Sequence, residues 1–125
     1  MADLTTKFQI KAGMHGGVYA CPADIALPFP FLSKLSGKGF DYLIVFVSSV
    51  AEIQKLGARA YTLLREDGVF WICYPKLTGK IKSDITRDRG WESVLELGLA
   101  GCRQIAIDDT WSALRFRNPQ YSKKK

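Results

Sequence analysis

Tyr42-Leu43-Ile44-Val45-Phe46-Val47 decides the fold, together with Ser49-Val50-Ala51-Glu52 and Val69-Phe70-Trp71-Ile72-Cys73-Tyr74 downstream of it. The first and last of these are unbroken apolar runs rich in β-branched and aromatic residues, the pattern of strands buried on both faces, as in parallel sheets. Ser49 and Glu52 have capping-box spacing: the serine oxygen can accept a helix N–H while the glutamate reaches back three residues. Val50, Ile53, Leu56, Ala60, Leu63 and Leu64 then recur at helical spacing, with Glu52, Lys55, Arg59 and Arg65 elsewhere on the surface. That predicts an amphipathic helix of about four turns, stopped by Asp67-Gly68. Strand, helix and strand, closed by Pro75, make a βαβ unit with a right-handed crossover.

Downstream, a basic loop carrying Lys76, Lys80 and Lys82 leads to Ser83 and Asp84, candidate N-caps of a helix whose apolar face includes Trp91, Val94 and Leu95 and which Gly98 or Gly101 ends. Arg103–Ile107 and Trp111–Arg117 flank the polar turn Asp108-Asp109-Thr110 and read as antiparallel neighbours. Asn118-Pro119 ends the ordered chain, so residues 1–118 form one domain and 119–125 a basic tail. Upstream, Val18-Tyr19-Ala20 is a short strand after Gly16-Gly17, Pro22 to Leu27 a short helix stopped by Pro28 and Pro30, and residues 31–40 a loop.

A chain of 125 residues suits a single core, and 47% hydrophobic with 24% charged residues is a globular composition. Of the net charge of +6, Lys123, Lys124 and Lys125 carry three units, leaving +3 for the domain. A polar lysine tail reads first as a solvated end, so nucleic-acid binding ranks low. Cys21, Cys73 and Cys102 are odd in number and isolated, which argues against a disulfide framework and a zinc site. No charged-then-apolar leader opens the chain, and no apolar run approaches the roughly 18 residues of a spanning helix. A cytoplasmic location without membrane contact is the expectation.

From Tyr42 to Arg117 the order of elements, with its final antiparallel pair, resembles the second half of a class I methyltransferase, and Phe8-Gln9-Ile10-Lys11-Ala12-Gly13 followed by a strand resembles how that fold opens. Most of the chain, roughly residues 7 to 117, more closely resembles bacterial domain-of-unknown-function family 3052, small Rossmann-like proteins. Three stretches carry this second resemblance: Tyr74-Pro75-Lys76, Ser83-Asp84-Ile85-Thr86-Arg87-Asp88 and Asp108-Asp109-Thr110-Trp111-Ser112-Ala113-Leu114-Arg115-Phe116. The family implies a fold and brings no activity with it. The fold expected is α/β: a truncated Rossmann-like sheet of about five strands, mostly parallel, with an antiparallel C-terminal pair and helices mainly on one face.

What is missing is informative. A methyltransferase would carry a glycine-rich turn after its first strand, so that backbone N–H groups approach the cofactor. Here Cys21-Pro22-Ala23-Asp24 stands there, with one N–H removed and a negative charge added. Residues 21–41 are also too few for two further βα units, so the strand order has no reversal and lacks the crevice that forms at one. Crossovers that all advance one way place their helices on one face, so the second apolar face needs a cover. Phe8 and Ile10, Pro28-Phe29-Pro30-Phe31 or a second subunit could supply it, the last implying a homodimer.

Residues beyond the C-terminal ends of parallel strands face ligands in such folds, which points to Cys21, Ser48 and Lys76. Lys76, Lys80 and Lys82 before a helix starting near Ser83 could hold an anion, set against an ordinary solvated lysine loop. Asp84 and Asp88, with Arg87 between them, could aim two carboxylates one way for a metal or a shared proton, but a capping Asp84 and an ion-paired Arg87 are the simpler account. Asp108, Asp109, Thr110 and Trp111 could build a small pocket with Trp111 against a partner or ligand, although aspartates also serve turns locally. Arg115 and Arg117 project from one strand face. His15 has no evident nucleophile beside it and Cys21 no partner base, so no catalytic residue, metal site or cofactor is assigned.

The resulting expectation is a noncatalytic, self-associating module that binds a small ligand, an anion near Lys76 being one option, or a protein partner. Candidate ligand-binding residues are Lys76, Lys80, Lys82, Ser83, Asp84, Arg87, Asp109, Thr110 and Trp111. A divergent methyltransferase-like enzyme is the alternative, and weak nucleic-acid binding through the basic loop and tail comes third.

Overall fold

The computed structural model describes residues 4–11, 13–22, 25, 27–28, 38–76, 81–86 and 89–122. Its elements run α1 (Leu4–Lys7), β1 (Gly16–Tyr19), β2 (Phe40–Phe46), α2 (Val50–Leu63), β3 (Leu64–Pro75), α3 (Glu92–Leu95), β4 (Ala100–Ala106), β5 (Trp111–Arg117) and α4 (Pro119–Ser122). One sheet has the order β1-β2-β3-β5-β4. β1 pairs parallel with β2 and β2 with β3, whereas β5 is antiparallel to both β3 and β4. The parallel strands advance in one direction with no reversal among the described strands, as the short 21–41 connection requires.

Alternation along β2 and β3 divides the core. Leu43, Val45, Val47, Phe70, Ile72 and Tyr74 face α2 and α3, where Ile53, Ala60 and Val94 pack against them. α2 packs on α3 around Gly57, where a Cβ would be in ordinary contact with Val94 at 3.4 Å. Tyr42, Ile44, Phe46, Trp71 and Cys73 line the second face together with Phe8 and Ile10. The cover for that face therefore comes from the chain's own N-terminal segment. Phe8 is fully buried, meets Trp71 edge-on at 5.1 Å and accepts the indole N–H on its carbonyl at 3.0 Å. Of the alternative cover, Pro28 is exposed and residues 29–31 lie outside the described residues.

Three local expectations change. α2 ends at Leu63, and Asp67-Gly68 falls inside β3 as a bulge, the register with β2 jumping from Phe40↔Leu64 to Tyr42↔Val69. Asp67 sits at φ +55° and is held there by a fork from Arg117, Nε and Nη2 to the two carboxylate oxygens at 2.9 and 2.8 Å. Gly68 is needed because a Cβ would lie 2.6 Å from Leu64 and 3.2 Å from the Phe40 carbonyl. Second, no helix begins at Ser83; α3 is a single turn entered from Trp91, with Gly98 at φ +88° beyond it. Trp91 and Val94 are buried as expected, but Leu95 is 51% exposed and Leu99 takes the buried place instead. Third, β4 starts at Ala100 and carries a bulge at Cys102, between the Gly101↔Phe116 and Arg103↔Arg115 pairs.

At the chain ends, β1 covers Gly16–Tyr19, and Gly16 is required where it faces Tyr42, whose ring would be 2.2 Å from a Cβ. Pro22, Ile25 and Leu27 are not helical, and residues 23, 24 and 26 lie outside the described residues. Order continues past Asn118 into α4, where the Tyr121 hydroxyl donates to Glu66. Among the described residues no helix is long and apolar enough to cross a membrane.

Candidate functional site

The three motif stretches converge on the end of the sheet where the parallel strands finish. Because β5 runs antiparallel to β3, with Pro75 opposite Trp111, the β4–β5 turn returns beside the exit of β3. The Lys76 N–H donates to the Thr110 carbonyl at 2.7 Å and ties the first motif to the third. The second joins through Asp84, whose Oδ1 accepts the Val50 N–H at 2.9 Å, so Asp84 caps α2 and not the helix that follows it in sequence. Ser83 is likewise taken locally, its Oγ accepting the Ile85 N–H at 3.1 Å and pinning the buried Ile85 side chain.

The start of α2 is closed by the chain's own groups. Ser49 Oγ accepts the Glu52 N–H at 3.2 Å, one arm of a capping box. The other arm reaches one residue further back than expected: Glu52 Oε1 accepts the Ser48 N–H at 2.6 Å and the Ser48 hydroxyl at 3.2 Å. Two carboxylates, Glu52 and Asp84, thus meet the positive end of the helix dipole, the position an external anion would otherwise take. In the β4–β5 turn, Asp108 Oδ1 accepts the N–H groups of Thr110 and Trp111, each at 2.8 Å, an Asx turn. Asp109 is exposed and Thr110 half-buried. Trp111 does not present a ligand-facing ring: it is buried and packs edge-on against Phe46 at 5.3 Å within the second-face core.

Lys76, half-buried, and Lys82, exposed, remain; among the described residues neither ammonium group has a hydrogen-bond or ion-pair partner. Lys80, Arg87 and Asp88 lie outside the described residues. The turn after β1 contains a residue that sequence reasoning missed. Ala20 has φ +63°, a left-handed conformation that a Cβ disfavours and that glycine would take freely, and alanine gives no local signal of it. Cys21, half-buried, donates its thiol to the Ile25 and Pro22 carbonyls at 3.7 and 3.6 Å. Burial pushes the Cys73 thiol well above its ordinary pKa, so it serves as a core side chain.

His15 belongs to the opposite end of the sheet, where its ring stacks on Phe40 at 4.8 Å and its backbone N–H donates to Asp41 Oδ2 at 2.8 Å. That hydrogen bond, with one from Arg65, holds the Asp41 carboxyl below the usual carboxylate range. Among the described residues, no group of three or more His, Cys, Asp and Glu side chains is placed to hold a metal ion.

No protein-family profile and no curated protein matches the chain. Among solved structures it is similar to the N-methyltransferase NodS from Bradyrhizobium japonicum WM9 in complex with S-adenosyl-L-homocysteine: TM-score 0.54, 14% identity, over 93% of this chain and 83% of that one. A second crystal structure of NodS from Bradyrhizobium japonicum WM9 aligns over 84% of this chain and 85% of its own, at 13% identity and a TM-score of 0.49. The chain therefore has a Rossmann-like, methyltransferase-like α/β fold.

Proposed function

We propose that the chain is a noncatalytic cytoplasmic binding module, a member of bacterial domain-of-unknown-function family 3052, whose loops at the C-terminal ends of β2 and β3 hold a small anionic ligand. One observation carries this. The hydroxyls and carboxylates of Ser48, Ser49, Glu52, Ser83, Asp84 and Asp108 at that end are committed to backbone groups or to one another, while the Lys76 and Lys82 ammonium groups are free among the described residues. Among the described residues such a surface offers positive charge without a nucleophile and base side by side. Self-association has lost the open apolar face as its ground, since Phe8 and Ile10 occupy it; a dimer would have to use another surface, such as the exposed edge strand β4.

Thermal-shift screening of the full chain tests the proposal. Inorganic phosphate, nucleotides or acidic metabolites should raise Tm, a ligand at a hundred times its Kd adding about 2.7 kcal/mol, and Lys76→Ala with Lys82→Ala should remove the shift. No shift with any anion, or one unchanged in the double variant, refutes it. The methyltransferase-like alternative rests on the likeness to a structure solved with S-adenosyl-L-homocysteine. It is opposed by the unreversed strand order and by Ala20-Cys21-Pro22 where a glycine turn would stand. A Tm rise with S-adenosyl-L-homocysteine, together with methyl transfer, would favour it instead. Salt-sensitive binding of DNA or RNA would favour the third reading, a weak nucleic-acid contact.

A further inference from the structure

Away from that end, the β4–β5 hairpin concentrates positive charge on the second face. Arg103 and Arg115 stand directly opposite each other in the antiparallel register, so their side chains share a face. Ala113, two residues before Arg115, belongs to the second-face core and identifies that face. Arg117 follows two residues along on the same side. Like charges in directly opposed positions destabilise a strand pair, so this arrangement calls for a counter-charge.

The described residues supply only part of one. Asp67 takes both donors of the Arg117 fork. Arg115 gives Nη1 to the neutral Gln9 side chain at 2.5 Å, and its Nε, buried from solvent, has no acceptor among the described residues. Partial burial also holds the Arg115 guanidinium below its ordinary pKa. Arg103 is exposed and unpaired among the described residues. Among the described residues three guanidinium groups therefore meet one carboxylate, a surplus of two positive charges.

We propose that the Arg103–Arg115 face of the hairpin binds a phosphoryl dianion. A phosphomonoester carries about −1.5 to −2 charges near neutral pH, which matches the surplus. The exposed Arg103 guanidinium offers a planar fork that suits two of its oxygens in bidentate geometry, with the Arg115 charge beside it, and the ligand would relieve the Arg103–Arg115 repulsion. A phosphodiester, with one charge per group, would leave part of the surplus uncompensated. The site is separate from Lys76 and Lys82, since Arg115 lies in the body of β5 on the sheet's second face.

Arginine Nε–Hε signals in 1H–15N spectra of the full chain, titrated with phenyl phosphate at ~0.15 M ionic strength, provide the test. Saturable shifts at Arg103 and Arg115 are expected, weakened at least ~tenfold, or ~1.4 kcal/mol, by Arg103→Gln and retained in Lys76→Ala. Inorganic phosphate should reproduce the shifts and thymidylyl-thymidine, a phosphodiester, should not. The proposal is overturned by the absence of saturable shifts, by equal shifts with chloride at matched ionic strength, or by unchanged affinity in Arg103→Gln. Loss of binding in Lys76→Ala would move the ligand to the strand ends, and equal binding of the diester would indicate a nucleic-acid-type contact; either overturns it too. Arg103 is exposed, so a thermal melt confirms that Arg103→Gln still folds.

Discussion

Replacing Phe8 by alanine tests whether the N-terminal segment is a structural part of the sheet's second face. Phe8 is fully buried and sits edge-on to Trp71 at 5.1 Å. Truncating a buried phenylalanine costs about 3–5 kcal/mol, from lost transfer energy and the cavity left behind. A chain of 125 residues has a net stability of roughly 6–19 kcal/mol at the usual per-residue values, so the loss is a large fraction of the whole. Urea unfolding followed by tryptophan fluorescence and circular dichroism should show a lower midpoint with an unchanged slope, the sign of a stability change alone. The Trp71 N–H keeps its bond to the residue 8 carbonyl in the variant, so the effect isolates packing. Light scattering should also detect association, because Trp71 and its neighbours become partly uncovered. A loss below about 0.5 kcal/mol, the scale of an ordinary surface substitution, would refute the placement of Phe8 in the core.

Asp84→Ala should cost about 0.5–2 kcal/mol by uncapping the Val50 N–H, with Asp84→Asn recovering most of it, as chemical denaturation would show; equal losses in both would refute the cap. The hydrogen bond from Arg117 holds the Asp67 carboxyl below its ordinary pKa. A lowered folded-state value contributes stability that is present above the unfolded pKa of about 3.9 and lost as pH falls through the folded value. Acid titration of stability should therefore be shallower in Asp67→Asn over that range than in the wild type. Gly16→Ala puts a Cβ 2.2 Å from the Tyr42 ring and should cost about 3 kcal/mol or more, whereas Gly101→Ala, at 3.5 Å from Leu114, should be nearly neutral in the same melt.

The βαβ unit was legible because its signals are local. Two unbroken apolar runs and the Ser49–Glu52 spacing act within a few residues of where they are read. Phe8 and Ile10 were also identifiable as a cover, once two both-sided strands and one-sided helices implied a face to fill. Asp84 shows where such reading stops. Its residue type announces a helix cap correctly, but the helix it caps lies 34 residues earlier, a partner that only folding brings near. Asp67-Gly68 is similar: a left-handed residue followed by glycine suits both a helix stop and a bulge, and the distant Arg117 makes it the bulge. At the candidate site the three motifs were recognisable one by one. Their union depends on the Lys76–Thr110 and Asp84–Val50 hydrogen bonds, which no spacing announces.

The hydrogen bond from Trp71 to the Phe8 carbonyl spans 63 residues, that from Arg115 to Gln9 spans 106, and Lys7 donates to the Ala106 carbonyl across 99. The N-terminal segment thus finds its anchors in strands made long after it leaves the ribosome. Contacts so distant in sequence form late, because loop closure must precede any gain from them. During synthesis the apolar side chains of Phe8 and Ile10 have no seat until the middle strand arrives, and Gln9 none until the last one does.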